Sequence, residues 1–273
     1  MNIISVENLT KRYKHFSIDN LNLKIPRGAV VGLVGANGAG KTTLIKALLG
    51  IIRSDSGKID IINKEEIGVV LDESFFPDLL KINDINEVMK RIYKNWNERK
   101  FREYLQKFNL THNHLIKELS KGMKKKLEIA TALSHKPKLL ILDEPTSGLD
   151  PIVRGEVLDL FREFMEDEEN SILISSHITS DLENIADYLI LIDQGKLILE
   201  ESMIEITDNY GIIHCNQETF EKIKEEAINY RKNKYDYEVL IRNKKEIKSK
   251  YKNINIDKAP IDEIMYLIIR GEK

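Results

Sequence analysis

Residues Gly35–Thr42 read G-A-N-G-A-G-K-T and match the phosphate-binding loop pattern G-x-x-x-x-G-K-[ST]. The three glycines of this loop let the backbone turn tightly, so that successive N–H groups face one anion. In this pattern Lys41 reaches the β- and γ-phosphates, and the hydroxyl of Thr42 is placed to ligate Mg²⁺. The stretch therefore predicts a binding site for a nucleoside triphosphate.

The residues on either side of the loop supply the context that this motif requires. Residues 29–34 (A-V-V-G-L-V) are apolar and β-branched, which predicts a buried strand. Residues 42–49 (T-T-L-I-K-A-L-L) predict a helix, whose N-terminal dipole would point at the phosphates. A glycine-rich turn that fits the pattern by accident would not need both neighbours.

The bulk properties of the chain are those of a cytoplasmic enzyme subunit. Its 273 residues allow one large domain and a small one, and the formal net charge of −2 gives no general attraction to nucleic acid. Cys215 is the only cysteine, which excludes an internal disulfide and favours a reducing compartment. The first residues lack the basic start and apolar core of a signal peptide, and no apolar run is long enough to span a bilayer. We therefore expect any membrane work to be done by a partner.

A second motif lies about a hundred residues after the loop. Residues 138–145 read K-L-L-I-L-D-E-P, an apolar strand that ends in two carboxylates. Ligand sites of parallel α/β sheets form at the carboxyl ends of strands, so Asp143 and Glu144 are expected beside the loop. Asp143 suits the shell of Mg²⁺, and Glu144 suits a general base that activates the attacking water. The alternative is an acidic strand end that simply meets solvent.

Three further pieces lie before and after this motif in a fixed order. Residues 119–123 (L-S-K-G-M) open an amphipathic helix, with Ser120 as its N-cap and a second anion site around Gly122. Residues 147–150 read S-G-L-D, directly after the D-E-P. Residues 172–176 form another apolar strand, which leads into His177, a side chain able to hydrogen-bond a γ-phosphate oxygen. Singly, each piece has an ordinary structural explanation, and only their order carries weight.

With these motifs, the chain from Tyr13 to His177 resembles the ATP-binding subunits of ABC transporters. The resemblance implies that two such subunits face each other head to tail, with each ATP between the phosphate loop of one and the L-S-K-G-M helix of the other. The residues that it implies for ATP binding are Tyr13, Gly35, Asn37, Gly38, Ala39, Gly40, Lys41, Thr42, Thr43, Ser120, Gly122 and Asp150. Tyr13 would stack on adenine, and Asp150 would lie at the dimer interface. It further implies Lys41, Glu144 and His177 as catalytic residues and Thr42, Asp72 and Asp143 as ligands of Mg²⁺.

Two departures from the family pattern stand out. The usual signature is L-S-G-G-Q, whereas this chain has Lys121 and Met123 at its first glycine and its glutamine. After the predicted strand 67–71 the family usually has a glutamine that reaches Mg²⁺, and here Asp72 occupies that place. A carboxylate can still ligate Mg²⁺. It also adds negative charge near the γ-phosphate, so we expect Asp72 to raise metal dependence or slow turnover.

The fold implied is an α/β P-loop NTPase of the ABC type, with antiparallel N-terminal strands in residues 1–28. Residues 1–204 would form the ATP-binding domain, and its insert 72–136 a helical subdomain with Ile85, Val88 and Ile92 at helical spacing. Residues 205–273 lie outside the shared motifs and would form a small α+β accessory domain. The local patterns there predict a strand at 211–215, a helix at 219–231, a strand at 235–242, and a helix or strand at 261–269.

The function implied is an ATP-hydrolysing subunit that energises an ABC transporter, resembling the ABC-2-type exporter branch. Its expected partners are a second ATP-binding subunit and a separate transmembrane permease, with no nucleic acid, and it would sit at the inner face of the membrane. The main alternative is a soluble ABC-type ATPase that acts in macromolecular assembly without transport. A P-loop kinase is a third reading, but the L-S-K-G-M and S-G-L-D motifs have no role in one.

Overall fold

The computed structural model describes all 273 residues. Strands and helices alternate through the first three-quarters of the chain, and a compact set of shorter elements follows. The first part contains β1 (Asn2–Arg12), β2 (Ser17–Pro26), β3 (Val30–Val34), α1 (Lys41–Leu48), β4 (Ser56–Ile61), β5 (Ile67–Val70), α2 (Ile82–Ile92), α3 (Glu98–Lys107), α4 (Lys121–Leu133), β6 (Leu139–Asp143), α5 (Pro151–Phe164), β7 (Ser171–Ser175), α6 (Thr179–Ile185), β8 (Tyr188–Asp193) and β9 (Lys196–Ser202). The C-terminal part contains α7 (Met203–Asn209), β10 (Gly211–Cys215), α8 (Gln217–Ile223), β11 (Ala227–Lys232), β12 (Tyr237–Ile241), α9 (Lys244–Lys250), β13 (Asp257–Lys258) and α10 (Ile261–Arg270).

A six-stranded sheet in the order β5-β6-β7-β3-β8-β9 forms the centre of the molecule. Its first five strands are parallel, and β9 returns antiparallel to β8. The carboxyl ends of β3, β5, β6 and β7 therefore share one edge of the sheet. This arrangement confirms the parallel α/β core expected from the sequence.

The apolar strands are buried on both faces of this sheet. Every residue of β3, β6 and β7 is buried. Alternate residues enter different cores, because neighbouring side chains on a strand point to opposite faces. Leu140 and Leu142 belong to the larger cluster of buried apolar residues, on one face of the sheet, whereas Leu139 and Ile141 belong to a smaller cluster on the other face. Continuous apolar runs such as L-L-I-L are what a sheet covered on both sides requires.

The N-terminal strands pair as expected, and the insert is helical. β1 lies between β2 and β4 in an antiparallel sheet, with Val6 opposite both Leu23 and Ile59. Helices α2, α3 and α4 fall within residues 72–136. On α2, Ile85 is buried, but Val88 and Ile92 remain exposed, so the helical spacing marks two apolar positions that the subunit alone does not cover.

The C-terminal part contains a four-stranded sheet in the order β11-β12-β10-β13. Helices α8 and α9 cover one face, and α10 packs on the other, where Leu240 joins the core of the larger cluster. The predicted helix at 219–231 is present as α8 to Ile223 and continues as a 3₁₀ turn at Lys224–Glu226, but the prediction is wrong from Ala227 onward, because residues 227–232 form β11. Pairing with β12 places Tyr230 opposite Val239, and the Tyr230 ring is buried against Phe220 of α8. These tertiary contacts override the local helical preference.

The remaining predictions for this part concern single elements. The strands predicted at 211–215 and 235–242 are present as β10 and β12. The ambiguous segment 261–269 is helical, as α10. None of the ten helices has both the length and the apolar character needed to cross a membrane.

Candidate functional site

The phosphate-binding loop connects β3 to α1 at the shared carboxyl edge of the sheet. Gly40 is the N-cap residue of α1 and has a left-handed φ of 113°. A Cβ on Gly35 would lie 2.2 Å from the carbonyl oxygen of Ile192, so a side chain is excluded there. Glycine is the residue that adopts the left-handed conformation at position 40 and the close approach at position 35 without strain. At the loop tip Asn37 and Gly38 are exposed, whereas Ala39 is buried.

Lys41 folds back over this loop. Its Nζ donates hydrogen bonds to the carbonyl oxygens of Gly35 at 2.7 Å and Ala36 at 3.2 Å. Burial lowers the pKa of Lys41 below its ordinary value, and the nearby carboxylates of Glu144 and Asp143 partly oppose this. The ammonium is thus held by neutral carbonyls, which an incoming phosphate can replace at a net electrostatic gain.

Asp143 connects the loop to the next two strands. It ends β6, is 1% exposed, and accepts a hydrogen bond from the Thr42 hydroxyl at 2.9 Å. Its other carboxylate oxygen accepts the hydroxyl of Ser175 at the end of β7. Two of the three side chains predicted to ligate a metal, Thr42 and Asp143, therefore meet directly. Sequence reasoning missed Ser175, whose only signal was its position as the last residue of an apolar strand.

Glu144 sits just beyond the strand in a left-handed conformation, with φ 53°. Such a backbone costs a non-glycine residue on the order of 1–2 kcal/mol and is characteristic of active sites. Its N–H donates to the Ser175 carbonyl at 3.1 Å. Its carboxylate contacts Nδ1 of His177, so the structure brings two of the three predicted catalytic side chains together.

A buried carboxylate behind this edge was not anticipated. Asp181 on α6 is fully buried, accepts the hydroxyl of Thr146 at 2.7 Å and lies 3.0 Å from Nε of Arg154. Thr146 follows the D-E-P motif, and Arg154 belongs to α5. Helix α6 is therefore fastened to the segment that carries Glu144. The signal in the sequence was an acidic residue four positions after His177.

The L-S-K-G-M and S-G-L-D segments lie side by side. Ser120 caps α4, because its hydroxyl accepts the N–H of Met123 at 3.2 Å. Gly122 packs beside the S-G-L-D segment, because a Cβ on Gly122 would lie 3.4 Å from the side chain of Leu149. Asp150 caps α5 by accepting the N–H groups of residues 152 and 153, each at 3.1 Å. Asp150 thus has a structural task within its own subunit.

No hydrogen bond or ion pair joins Tyr13 or Asp72 to Asp143. The ring of Tyr13 is half-exposed, stacks near Phe16 with 6.5 Å between ring centroids, and lines a cleft that also includes Gly38. Asp72 follows β5, and its carboxylate lies 3.9 Å from Nζ of Lys121 rather than against Thr42 or Asp143. The two departures from the family pattern therefore face each other.

Known proteins are similar to this chain in sequence and in fold. A family model described as "ABC transporter" matches residues 18–147. The lantibiotic transport ATP-binding protein SrtF of Streptococcus pyogenes is 38% identical over 232 residues, which cover 81% of this chain and 99% of that protein. The bacitracin transport ATP-binding protein BcrA of Bacillus licheniformis is 40% identical over 214 residues, covering 72% of this chain and 69% of that protein. A solved ATP-binding subunit of an ABC transporter superposes with a TM-score of 0.68 at 25% identity, covering 75% of this chain and 91% of that chain.

Proposed function

The chain belongs to the ABC transporter family as an ATP-binding subunit that hydrolyses ATP, and from this premise we propose how its residues divide the work. The observation that carries the proposal is the convergence of Lys41, Thr42, Asp143, Glu144 and His177 on one edge of the parallel sheet. Ligands of open α/β sheets bind at this edge.

In this proposal the phosphates of ATP lie on the loop 35–43, in contact with its N–H groups and with Lys41. The ammonium of Lys41 leaves the carbonyl oxygens of Gly35 and Ala36 for the phosphates. Tyr13 stacks on the adenine, because its half-exposed ring faces the cleft that leads to Gly38. Such stacking contributes on the order of 0.5–1.5 kcal/mol beyond burial.

The donor set at Thr42 and Asp143 fits Mg²⁺. A buried carboxylate and a hydroxyl 2.9 Å apart offer the oxygen ligands that Mg²⁺ prefers, and Mg²⁺ typically takes its other ligands from water and nucleotide. Bound there, the ion would neutralise charge on the transferred phosphoryl group. Asp72 is proposed as a third protein ligand of this ion, which its carboxylate would reach by leaving Lys121.

Glu144 is proposed to act as the general base and His177 to orient it. The carboxylate accepts a hydrogen bond from the N–H of His177 at 3.3 Å and contacts the ring through Nδ1. The side chain of Glu144 is only 15% exposed, so its rotation is restricted. When a γ-phosphate is present, the His177 ring can turn to it and leave the Glu144 carboxylate free to accept a proton from water.

Two copies are proposed to close on two ATP molecules. Ser120 and Lys121 are exposed at the start of α4, a helix of 13 residues. Ser120 and Gly122 would contact the ATP held by the opposite subunit, and Asp150 would lie at the interface. Residues 1–204 would supply the ATP-binding domain and 205–273 an accessory domain.

A separate transmembrane subunit is proposed as the other partner, which would hold this subunit at the cytoplasmic face of the membrane. The helical subdomain exposes Val88 and Ile92, one turn apart on the same face of α2, and Leu79 just before it. The relatives SrtF and BcrA carry names for lantibiotic and bacitracin transport. We infer that this subunit likewise serves an exporter of peptide antibiotics.

The dimer is tested with Glu144→Gln, which should bind Mg²⁺-ATP without hydrolysing it and migrate as a dimer in size-exclusion chromatography only when ATP is present. Lys41→Ala is the matched control and should stay monomeric. A Glu144→Gln protein that binds ATP yet remains monomeric would overturn the ATP-sandwich proposal. Export is tested in the source cell: loss of the gene should raise sensitivity to bacitracin or a lantibiotic, and a polytopic membrane protein should co-purify with the chain.

A further inference from the structure

A charged pair is buried in the middle of α4. Lys125 and Glu128 are 2% and 1% exposed, and Nζ of Lys125 lies 3.5 Å from Oε2 of Glu128. Burial raises the pKa of Glu128, and the charge of Lys125 opposes this rise. Burying two charges is costly unless each makes good additional contacts, so the other contacts of Lys125 decide what the pair is for.

The ammonium of Lys125 reaches out of its helix to the loop after β5. It donates a hydrogen bond to the carbonyl oxygen of Leu71 and lies 3.3 Å from the carbonyl oxygen of Asp72. The loop therefore gains charged hydrogen bonds through its backbone, whatever its side chains are. Glu128 supplies the acidic group that lies beside this donor.

Two neighbouring lysines contact the same loop. Lys121 lies 3.9 Å from the carboxylate of Asp72, and Lys124 donates to Asp78 at 2.9 Å. Positions 121, 124 and 125 share one face of a helix, because they are three and four residues apart. Of the three lysines only Lys125 is buried and bound to backbone atoms; the side chain of Lys121 is 64% exposed.

We propose that Lys125, with Glu128, is a positioning residue for ATP hydrolysis: it ties the loop bearing Asp72 to the helix that begins at Ser120. The inference rests on the proposed function, in which Asp72 lies near the metal of its own subunit and Ser120 contacts the ATP of the other. Through Lys125 a shift of α4 on dimer closure moves the backbone of Asp72 with it. Lys121 holds the Asp72 carboxylate away from the metal until that happens.

The experiment uses the double variant Lys125→Met/Glu128→Gln, which removes both charges together and leaves no unpaired charge in the core. Hydrogen–deuterium exchange of residues 68–78 is measured without nucleotide or Mg²⁺. Exchange should become about tenfold faster in the double variant, as expected when a hydrogen bond to a charged group is lost. Lys126→Met, one residue along the same helix, is the matched control and should exchange like the wild type.

The second readout is the Mg²⁺ concentration that gives half-maximal ATP hydrolysis. It should rise several-fold in the double variant, and Lys121→Gln, at an exposed position that does not threaten folding, should lower it. Unchanged exchange in residues 68–78 would overturn the tie itself. Faster exchange with an unchanged Mg²⁺ requirement would show a purely structural pair and overturn the positioning role. Neither outcome touches the proposed function, which fails separately if Glu144→Gln hydrolyses ATP normally.

Discussion

The carboxyl edge of the six-stranded sheet and the C-terminal part, residues 203–273, are built on opposite principles. At the edge, polar side chains are bonded to one another: the buried carboxylate of Asp143 accepts the hydroxyl groups of Thr42, which is exposed, and of Ser175, which is buried. In the C-terminal part the sheet is apolar on both faces, with Leu240 facing one core and Val239 the other. The first region is organised for chemistry, at a cost in the free energy of unfolding. The second region is organised for stability through apolar packing.

Helix α6 touches both regions. Its Asp181 is bonded to Thr146 behind the catalytic edge. Two residues along, Glu183 accepts the N–H of Ile261, the first residue of α10, at 2.9 Å. Leu182 shares one core cluster with residues of α10 such as Leu267. The difference between the regions is therefore one of task, because they share an element and a continuous apolar core.

The largest effect should come from the edge. Glu144→Gln should lower kcat for ATP hydrolysis by roughly 10²- to 10⁴-fold, because it removes the general base. The melting temperature should not fall, since the amide keeps the shape and one acceptor oxygen. Steady-state phosphate release and thermal unfolding measure the two. Glu163→Gln, at an exposed position on α5, is the control, and a Glu144→Gln enzyme with more than a tenth of wild-type turnover would contradict the assignment.

The same contrast explains how much could be predicted from the sequence. Motifs predicted the edge because phosphate binding requires fixed residues at fixed spacing: Gly35, Lys41 and Asp143 all lie where they were expected. Stability through apolar packing requires only apolar side chains of suitable volume, so many different sequences can provide it. Nothing local distinguished β11 from a continuation of α8, since only pairing with β12 buries Tyr230.

Contacts between distant elements were also beyond prediction. Asp72 and Lys121 are 49 positions apart in the chain, and their meeting depends on how α4 packs against β5. The bond between Thr146 and Asp181 likewise depends on the placement of α6. Sequence reasoning identified Asp72 and Lys121 as unusual, but not that each is the other's partner.

The next largest effect is expected from a substitution in the apolar core of the C-terminal part. Leu267→Ala should destabilise the protein by about 2–5 kcal/mol, the usual cost of a cavity at a buried leucine. Because the core is continuous, urea unfolding should remain a single transition that carries both regions. Turnover per folded molecule should not change. Ile204→Ala, at a side chain that is 73% exposed, is the control, and two separate transitions would show that residues 205–273 fold independently.

A smaller effect is expected where the two regions meet. Thr146→Val keeps the shape of the side chain but deprives the buried Asp181 of one hydrogen bond, leaving Arg154 as its partner. The loss should be roughly 1–3 kcal/mol of unfolding free energy. Turnover should fall as well, because the segment after Glu144 loses its attachment to α6. The control is Thr111→Val at an exposed position. A loss of stability with wild-type turnover would show that α6 contributes to the stability of the protein and not to catalysis.

The smallest effect is expected at Glu183, which both accepts a hydrogen bond from the first N–H of α10 and forms an ion pair with Lys258. Glu183→Gln keeps an acceptor for the N–H of Ile261 but removes the charge that faces Lys258, 3.4 Å away and 66% exposed. Such a pair contributes roughly 0–1 kcal/mol, and less as salt rises. We expect a small loss of melting temperature that vanishes in high salt, matched by Lys258→Gln, with unchanged ATP hydrolysis. If hydrolysis instead falls in Glu183→Gln while stability holds, the contact between α6 and α10 also controls chemistry, and the division of tasks between the two regions is wrong.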